Sequence, residues 1–195
     1  ADMQRVAYFI QQAGRGLTDV SVTLDAHHRL DIAHPTFWQD AHGCHIAPFT
    51  SISAAQVRAG IFAPRQPTAH MRALSYLDVL EAAGRYQHMV WPVHCEIGSW
   101  GQNVHSDVRA AYNRWEEASL KEVYKLHKGS NPWTEHYSAL QAEVVDHTDP
   151  DTAFNQAFFA RLQSADKVFI AGEAGSHCVK ASVEHIVEKW DARHC

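Results

Sequence analysis

Short β-branched runs alternate along this chain with amphipathic helical segments, and that alternation constrains the fold more than any other feature. Val20, Val22 and Leu24 alternate with Ser21 and Thr23 in a run ending at Asp25, the pattern of a half-buried strand. Before it, Met3, Val6, Ala7, Ile10 and Ala13 recur at helical spacing until Gly14 and Gly16, which predicts a helix over 3–14. Further helices are expected over 68–83, stopped by Gly84, and over 103–118 through Val104, Val108, Ala111 and Trp115. Another is expected with Asp149 as N-cap, Pro150 at the first helical position and Phe154, Phe158 and Leu162 on one face. The last runs from about Cys178 to Trp190. Strands are expected over 122–127 and 167–171. Strands separated by helices predict an α/β fold whose mostly parallel central sheet is flanked by helices, with ligands bound beyond the carboxyl ends of the strands. Three such exits carry chemistry: Asp25 and His27, Lys128, and the loop leading into Cys178.

The 195 residues, 46% hydrophobic and 20% charged, fit a single domain over 1–195. Residues 29–67 carry Pro35, Pro48, Pro64 and Pro67 and only a short helical piece over 53–59, and are expected to form an ordered insertion. Seventeen Lys and Arg against 22 Asp and Glu give a net charge of -5 with no basic cluster, which argues against nucleic acid as a partner. No apolar run approaches the roughly 20 residues of a membrane span, and no signal peptide is evident, so a soluble cytoplasmic protein is expected and a homo-oligomer is left open. The four cysteines form no Cys-x-x-Cys pair, while the 15 histidines are an excess that needs explaining. The chain starts in helical sequence without an initiator Met and stops just after another helix, so trimming at both ends is expected.

Cys178 follows an apolar run and a small-residue loop containing Gly172, Ala174, Gly175 and Ser176. A thiol at a helix start is expected to have a lowered pKa, and the free N–H groups there can hold an oxyanion; the alternative is a cysteine buried as a small hydrophobe. Lys128 at a second exit can hold a thiolate or move protons, or be merely solvated. Asp25 and His27, two residues apart in extended chain, share a face and suit a divalent ion. His94, in a loop stiffened by Pro92, is the chosen third ligand, with His28, His34, His42 and His45 competing on composition; a plain histidine-rich surface loop is the alternative. Phe37, Trp38, Trp91, Trp133 and Tyr137 fall in loops, where they suit a flat ring substrate or the packing of the insertion.

Taken together, Asp25-Ala-His27, Trp91-Pro-Val-His94-Cys95, Lys128-Gly129 and Gly172-x-Ala174-x-x-x-Cys178-Val179 resemble the nicotinamidases of the isochorismatase-like cysteine hydrolases across residues 20–185. The resemblance implies a three-layer Rossmann-like fold and hydrolysis of nicotinamide to nicotinate and ammonia through a thioester. By motif, Cys178 would be the nucleophile and Lys128 its partner. Asp25, His27 and His94 would hold one divalent ion, usually zinc, and Trp91 and Phe37, with Tyr137 nearby, would meet the substrate ring. The backbone N–H groups of Ala174 and Cys178 would form the oxyanion hole, with a cis bond between Glu173 and Ala174. The family's catalytic aspartate lies on a strand before the first helix, so it is expected upstream of Ala1, and the last family strand beyond Cys195. The long 29–67 segment and the loop Glu173-Ala-Gly-Ser-His-Cys178 depart from the family pattern at the pocket, which leaves open another small amide or an N-carbamoyl compound as substrate. A catalytically dead metal-binding module is the alternative of another class.

Overall fold

A computed structural model of the chain describes residues 2–190. The central feature is a parallel pair of strands, β1 (Ser21–Asp25) and β6 (Tyr124–Lys128), in a register that sets Asp25 directly opposite Lys128. The elements between them are β2 (Trp38–Asp40), β3 (Thr50–Ile52), α2 (Ala54–Arg58), β4 (Phe62–Pro64), α3 (His70–Ala83), β5 (His88–Val90) and α4 (Ser106–Ser119). Helix α1 (Asp2–Ala13) precedes them, and α5 (Gln156–Gln163) and α6 (Cys178–Lys189) follow.

The helices bury their apolar stripes as the periodicity requires. Ala7 and Ile10 of α1 pack on Val108, Ala111, Tyr112 and Trp115 of α4, with Val22 of β1 against them. On the other flank, Phe158 and Phe159 of α5 join Leu140, Leu126 of β6 and Ile186 of α6. Helices therefore cover the strand pair from both sides, the α/β arrangement expected. No described helix is long and apolar enough to cross a membrane.

Residues 29–67 carry more regular structure than their sequence suggested. Strand β2 pairs antiparallel with β4, and β3 with β5. Ile32, Trp38, Ile52 and Val57 share a core with Ala73, Leu77 and Leu80 of α3 and with Val90. The expected helix over 53–59 is α2, and Ser53 caps it with a capping box whose N3 residue is Gln56.

Two expected elements differ. Residues 167–171 run without a ladder partner among the described residues, and Val168, Phe169 and Ile170 are 36%, 67% and 44% exposed. A strand is held by a hydrogen-bonded neighbour; here a ring contact between Phe169 and Phe9 of α1, at 5.3 Å, sets the segment against the first helix instead. The helix expected from Asp149 is split. Asp149 does cap a turn with Pro150 at its start, but that 3-10 turn ends at Thr152, whose hydroxyl donates to the Asp149 carbonyl at 2.7 Å. Asn155 then starts α5 by accepting the Phe158 N–H at 2.9 Å.

Candidate active site

The parallel register builds the site. Asp25 and Lys128 are the last residues of adjacent strands and stand directly opposite each other, so their side chains leave the sheet on the same side. The Lys128 ammonium donates to Asp25 Oδ1, to the His136 carbonyl at 2.6 Å and toward Cys178 Sγ at 3.8 Å. Lys128 is buried, and burial alone would favour the neutral amine. The Asp25 carboxylate and Cys178 overcome that and raise its pKa, so it stays a cation. Burial likewise pushes the Asp25 carboxyl up, but Lys128 outweighs it and holds the group below its usual value.

Cys178 is the first residue of α6, where its N–H has no intrahelical acceptor. The lowered thiol pKa expected from that position is not found. Burial pushes the Cys178 thiol up to about 11, and Lys128, which opposes the shift, does not overcome it. A helix terminus acts within its last turn and is outweighed where the sulfur loses water. The unliganded site is therefore a neutral thiol beside an ammonium–carboxylate pair.

Ala174 adopts a left-handed backbone, φ 59°, in a loop whose turn is closed by His177 N–H to the Ala174 carbonyl at 3.0 Å. This conformation costs a non-glycine residue on the order of 1–3 kcal/mol. The expected cis bond between Glu173 and Ala174 is absent, since the described residues contain no cis peptide. The loop reverses direction through the Ala174 φ angle instead.

Gly129, after Lys128, has φ 84°, and a Cβ placed there would lie 3.2 Å from His27 Cε1. A glycine is required both by the turn and by the imidazole packed on it. His27 in turn hydrogen-bonds through Nδ1 to Asp31 Oδ2 at 3.1 Å, and both side chains are almost wholly buried. Burial lowers the His27 pKa, but the Asp31 bond and nearby carboxylates raise it on balance. Asp31 also accepts the Ala33 N–H at 2.9 Å. With Nδ1 occupied, Nε2 is the nitrogen of His27 left to bind an ion, the carboxylate–histidine arrangement common at metal centres.

Two more imidazoles face it. The His27 ring centroid is 4.7 Å from that of His94 and 5.3 Å from that of His34. His94 Nδ1, which donates to the Pro92 carbonyl at 2.9 Å, also lies 3.2 Å from His34 Nε2, so Nε2 is the nitrogen of His94 left to bind an ion. Burial lowers the pKa of both, keeping them neutral as ligation needs. The Asp25 carboxylate, His94 and Cys95 have ligand atoms within 4.8 Å of one another. Of the expected ligands Asp25 and His94 converge, joined by Cys95, while His27 and His34 face His94 through their rings and lie outside that group. His34 had been only one of four competing histidines; that it sits two residues before the apolar Thr36-Phe37-Trp38 stretch is the one local hint of its burial.

The aromatic residues divide. Trp91 Nε1 donates to the Tyr137 hydroxyl at 3.1 Å, and both rings lie 5.0 Å from that of His177, the residue before Cys178. Tyr86 stacks on His177 at 5.6 Å and packs on Tyr137 at 4.8 Å. Phe37 is not in this group; it is buried against Trp38 and Trp133 in the core of the insertion. His177 and Tyr86 were missed, although adjacency to Cys178 marks the first. Behind the site lie Glu135, whose buried carboxyl is pushed up to about 7 by burial, and His136, pushed down to about 3 by burial. Glu135 Oε2 and His136 Nε2 find no partner among the described residues.

No family model matches the sequence, and no curated protein matches it. Solved structures do. The yeast nicotinamidase Pnc1p is 18% identical, superposes with a TM-score of 0.61, and the match covers 96% of this chain and 69% of that one. The same enzyme bound to the inhibitor nicotinaldehyde gives 0.60 over the same shares. An Acinetobacter baumanii nicotinamidase and pyrazinamidase is 19% identical, with a TM-score of 0.58 over 96% of this chain and 68% of that one. The chain has the fold these enzymes share.

Proposed function

We propose that this chain is a cysteine amidohydrolase of the nicotinamidase type, a single cytoplasmic hydrolase domain over 1–195 that cleaves a small aromatic carboxamide, nicotinamide first, to the carboxylate and ammonia. The observation that carries the reading is the contact chain from Asp25 through Lys128 to Cys178 at the carboxyl ends of the paired strands. Likeness of fold to three nicotinamidase structures supports it.

The chemistry starts from a neutral thiol. As the substrate carbonyl approaches, the Cys178 thiol gives its proton to a general base at the site, and the Lys128 ammonium, kept charged by Asp25, stabilises the thiolate that forms. The thiolate forms a C–S bond, and the carbonyl oxygen takes up the negative charge facing the N–H groups of Cys178 and Ala174. Collapse breaks the C–N bond, and the general base returns its proton to the departing nitrogen. Water then adds to the thioester, giving up a proton to the same base, and the Cys178 thiol is restored as the acid leaves. Trp91, Tyr137 and His177 line the approach and hold a flat ring beside the sulfur.

The donor set fits a divalent ion, with zinc the expected occupant: Asp25 has a second oxygen beyond the one on Lys128, His27 presents Nε2, and His94 is kept neutral by burial. When bound, such an ion supplies an anchor for a ring nitrogen, which orients the carboxamide toward Cys178. Ammonia release from nicotinamide tests the function. Activity in the wild type and its loss in Cys178→Ala are expected; equal rates in the two remove Cys178 as the nucleophile.

A further inference from the structure

Cys95 is a chemistry-bearing side chain at this centre that the steps above do not use. We infer that Cys95 is a direct thiolate ligand of the ion the centre binds, so that the donor set mixes oxygen, nitrogen and sulfur and selects thiophilic ions over magnesium or manganese. This rests on the reading of the site as a metal centre and deepens it.

Three observations carry the inference. Among the described residues, the group of His, Cys, Asp and Glu side chains whose ligand atoms converge is Asp25, His94 and Cys95, all within 4.8 Å of one another. Two atoms bound to one ion at roughly 2.0–2.3 Å each stand at most about 4.6 Å apart, so side-chain adjustment of a few tenths of an ångström closes the set. Next, the backbone of Cys95 is pinned to the strand exit. Its carbonyl accepts the His27 N–H at 3.0 Å, and the His27 carbonyl accepts the Ile97 N–H at 2.9 Å, so the loop is stitched to His27 on both sides of Glu96. Last, Cys95 holds a left-handed backbone, φ 46°, and its thiol is free and half-buried. That conformation sets the thiol beside the carboxylate and the imidazole.

Binding breaks the S–H bond, releases that proton to solvent and forms a sulfur–metal bond. Thiolate ligands favour zinc and cadmium, whereas oxygen-only centres favour magnesium and manganese.

Cobalt(II) makes the ligand visible. The full chain carrying Cys178→Ala, which removes the neighbouring thiol, is titrated with cobalt alone. Visible d–d bands report binding, and an intense near-ultraviolet sulfur-to-cobalt band is expected with them. Adding Cys95→Ser should keep the d–d bands, abolish the near-ultraviolet band and reduce the preference for cadmium over manganese at least tenfold. A near-ultraviolet band that is absent while cobalt is bound, or that survives Cys95→Ser, overturns the inference and leaves the metal centre standing. Absence of d–d bands in both proteins overturns the metal centre itself and the inference with it.

Discussion

Lys128 Nζ lies 3.8 Å from Cys178 Sγ across fifty residues of chain. The lysine reaches the sulfur as the middle of a chain of contacts, because its ammonium is already bound to Asp25 and to the His136 carbonyl. The arrangement couples the two strand ends to the start of α6.

Removing the middle member should cost activity and stability together. Lys128→Met is expected to lower kcat for amide hydrolysis by about 10²–10³, the range for removing a group that stabilises developing charge. It also leaves the Asp25 carboxylate without its cation, and urea unfolding should show a loss of about 1–3 kcal/mol. In the double variant Asp25→Asn/Lys128→Met, stability should recover in part while activity stays low.

The thiol should behave as a weak acid. With its pKa pushed to about 11, Cys178 is neutral at pH 7, and its alkylation by iodoacetamide should accelerate continuously as pH rises from 7 to 10. Peptide mapping separates it from the exposed Cys44. A plateau for Cys178 below pH 8 would contradict the buried neutral thiol.

Glu135 predicts a pH dependence of stability. Its folded-state value, about 7, exceeds its ordinary 4.5, so the folded protein holds a proton that the unfolded chain gives up. The contribution is complete below pH 4.5 and is lost as pH rises through 7. Wild-type stability should therefore fall by about 3 kcal/mol relative to Glu135→Gln between pH 4.5 and 7. Urea titrations of both proteins at pH 4.5, 5.5 and 7 measure the difference; parallel curves would show that Glu135 does not titrate in this window. Using the difference also cancels His136, whose lowered value acts in the opposite sense, with stability present above pH 6.5 and lost as pH falls toward 3.

Gly129→Ala should be costly although the change is one methyl group. The backbone there has φ 84°, and the new Cβ meets His27 Cε1 at 3.2 Å. Destabilisation of about 1–3 kcal/mol is expected by thermal unfolding, with weaker metal binding because His27 must move. An unchanged Tm would show that the loop relaxes freely.

Asp31→Asn tests the support behind His27. The substitution keeps the shape but removes the charge that fixes the ring, and metal affinity should fall about 10–100-fold in competition with a chelator. Unchanged affinity would remove His27 from the ligand set.

Elements whose signals are local were legible. The helix stripe of α4, the stop of α3 at Gly84 with φ 66°, and the strand ends at Asp25 and Lys128 follow from periodicity and caps read over a few residues. The short strands of the insertion were not, because three-residue strands such as β2 and β4 owe their existence to each other and carry no alternation long enough to read. The error over 167–171 has the same origin reversed: an apolar β-branched run satisfies the pattern, yet a ladder needs a partner that spacing along the chain does not reveal.

What the sequence by itself determined was the inventory of the site: a cysteine at a helix start, a Lys-Gly pair and an Asp-x-His pair at strand exits, and a stiffened loop carrying His94 and Cys95. The tertiary structure alone decided how these act on one another. Register set Asp25 against Lys128, 103 residues apart, and folding chose His34 from several exposed histidines by burying it beside His94. Burial also reversed the expected acidity of Cys178. Charge pairing and desolvation depend on what surrounds a group in space, and neither is written in the residues next to it in the chain.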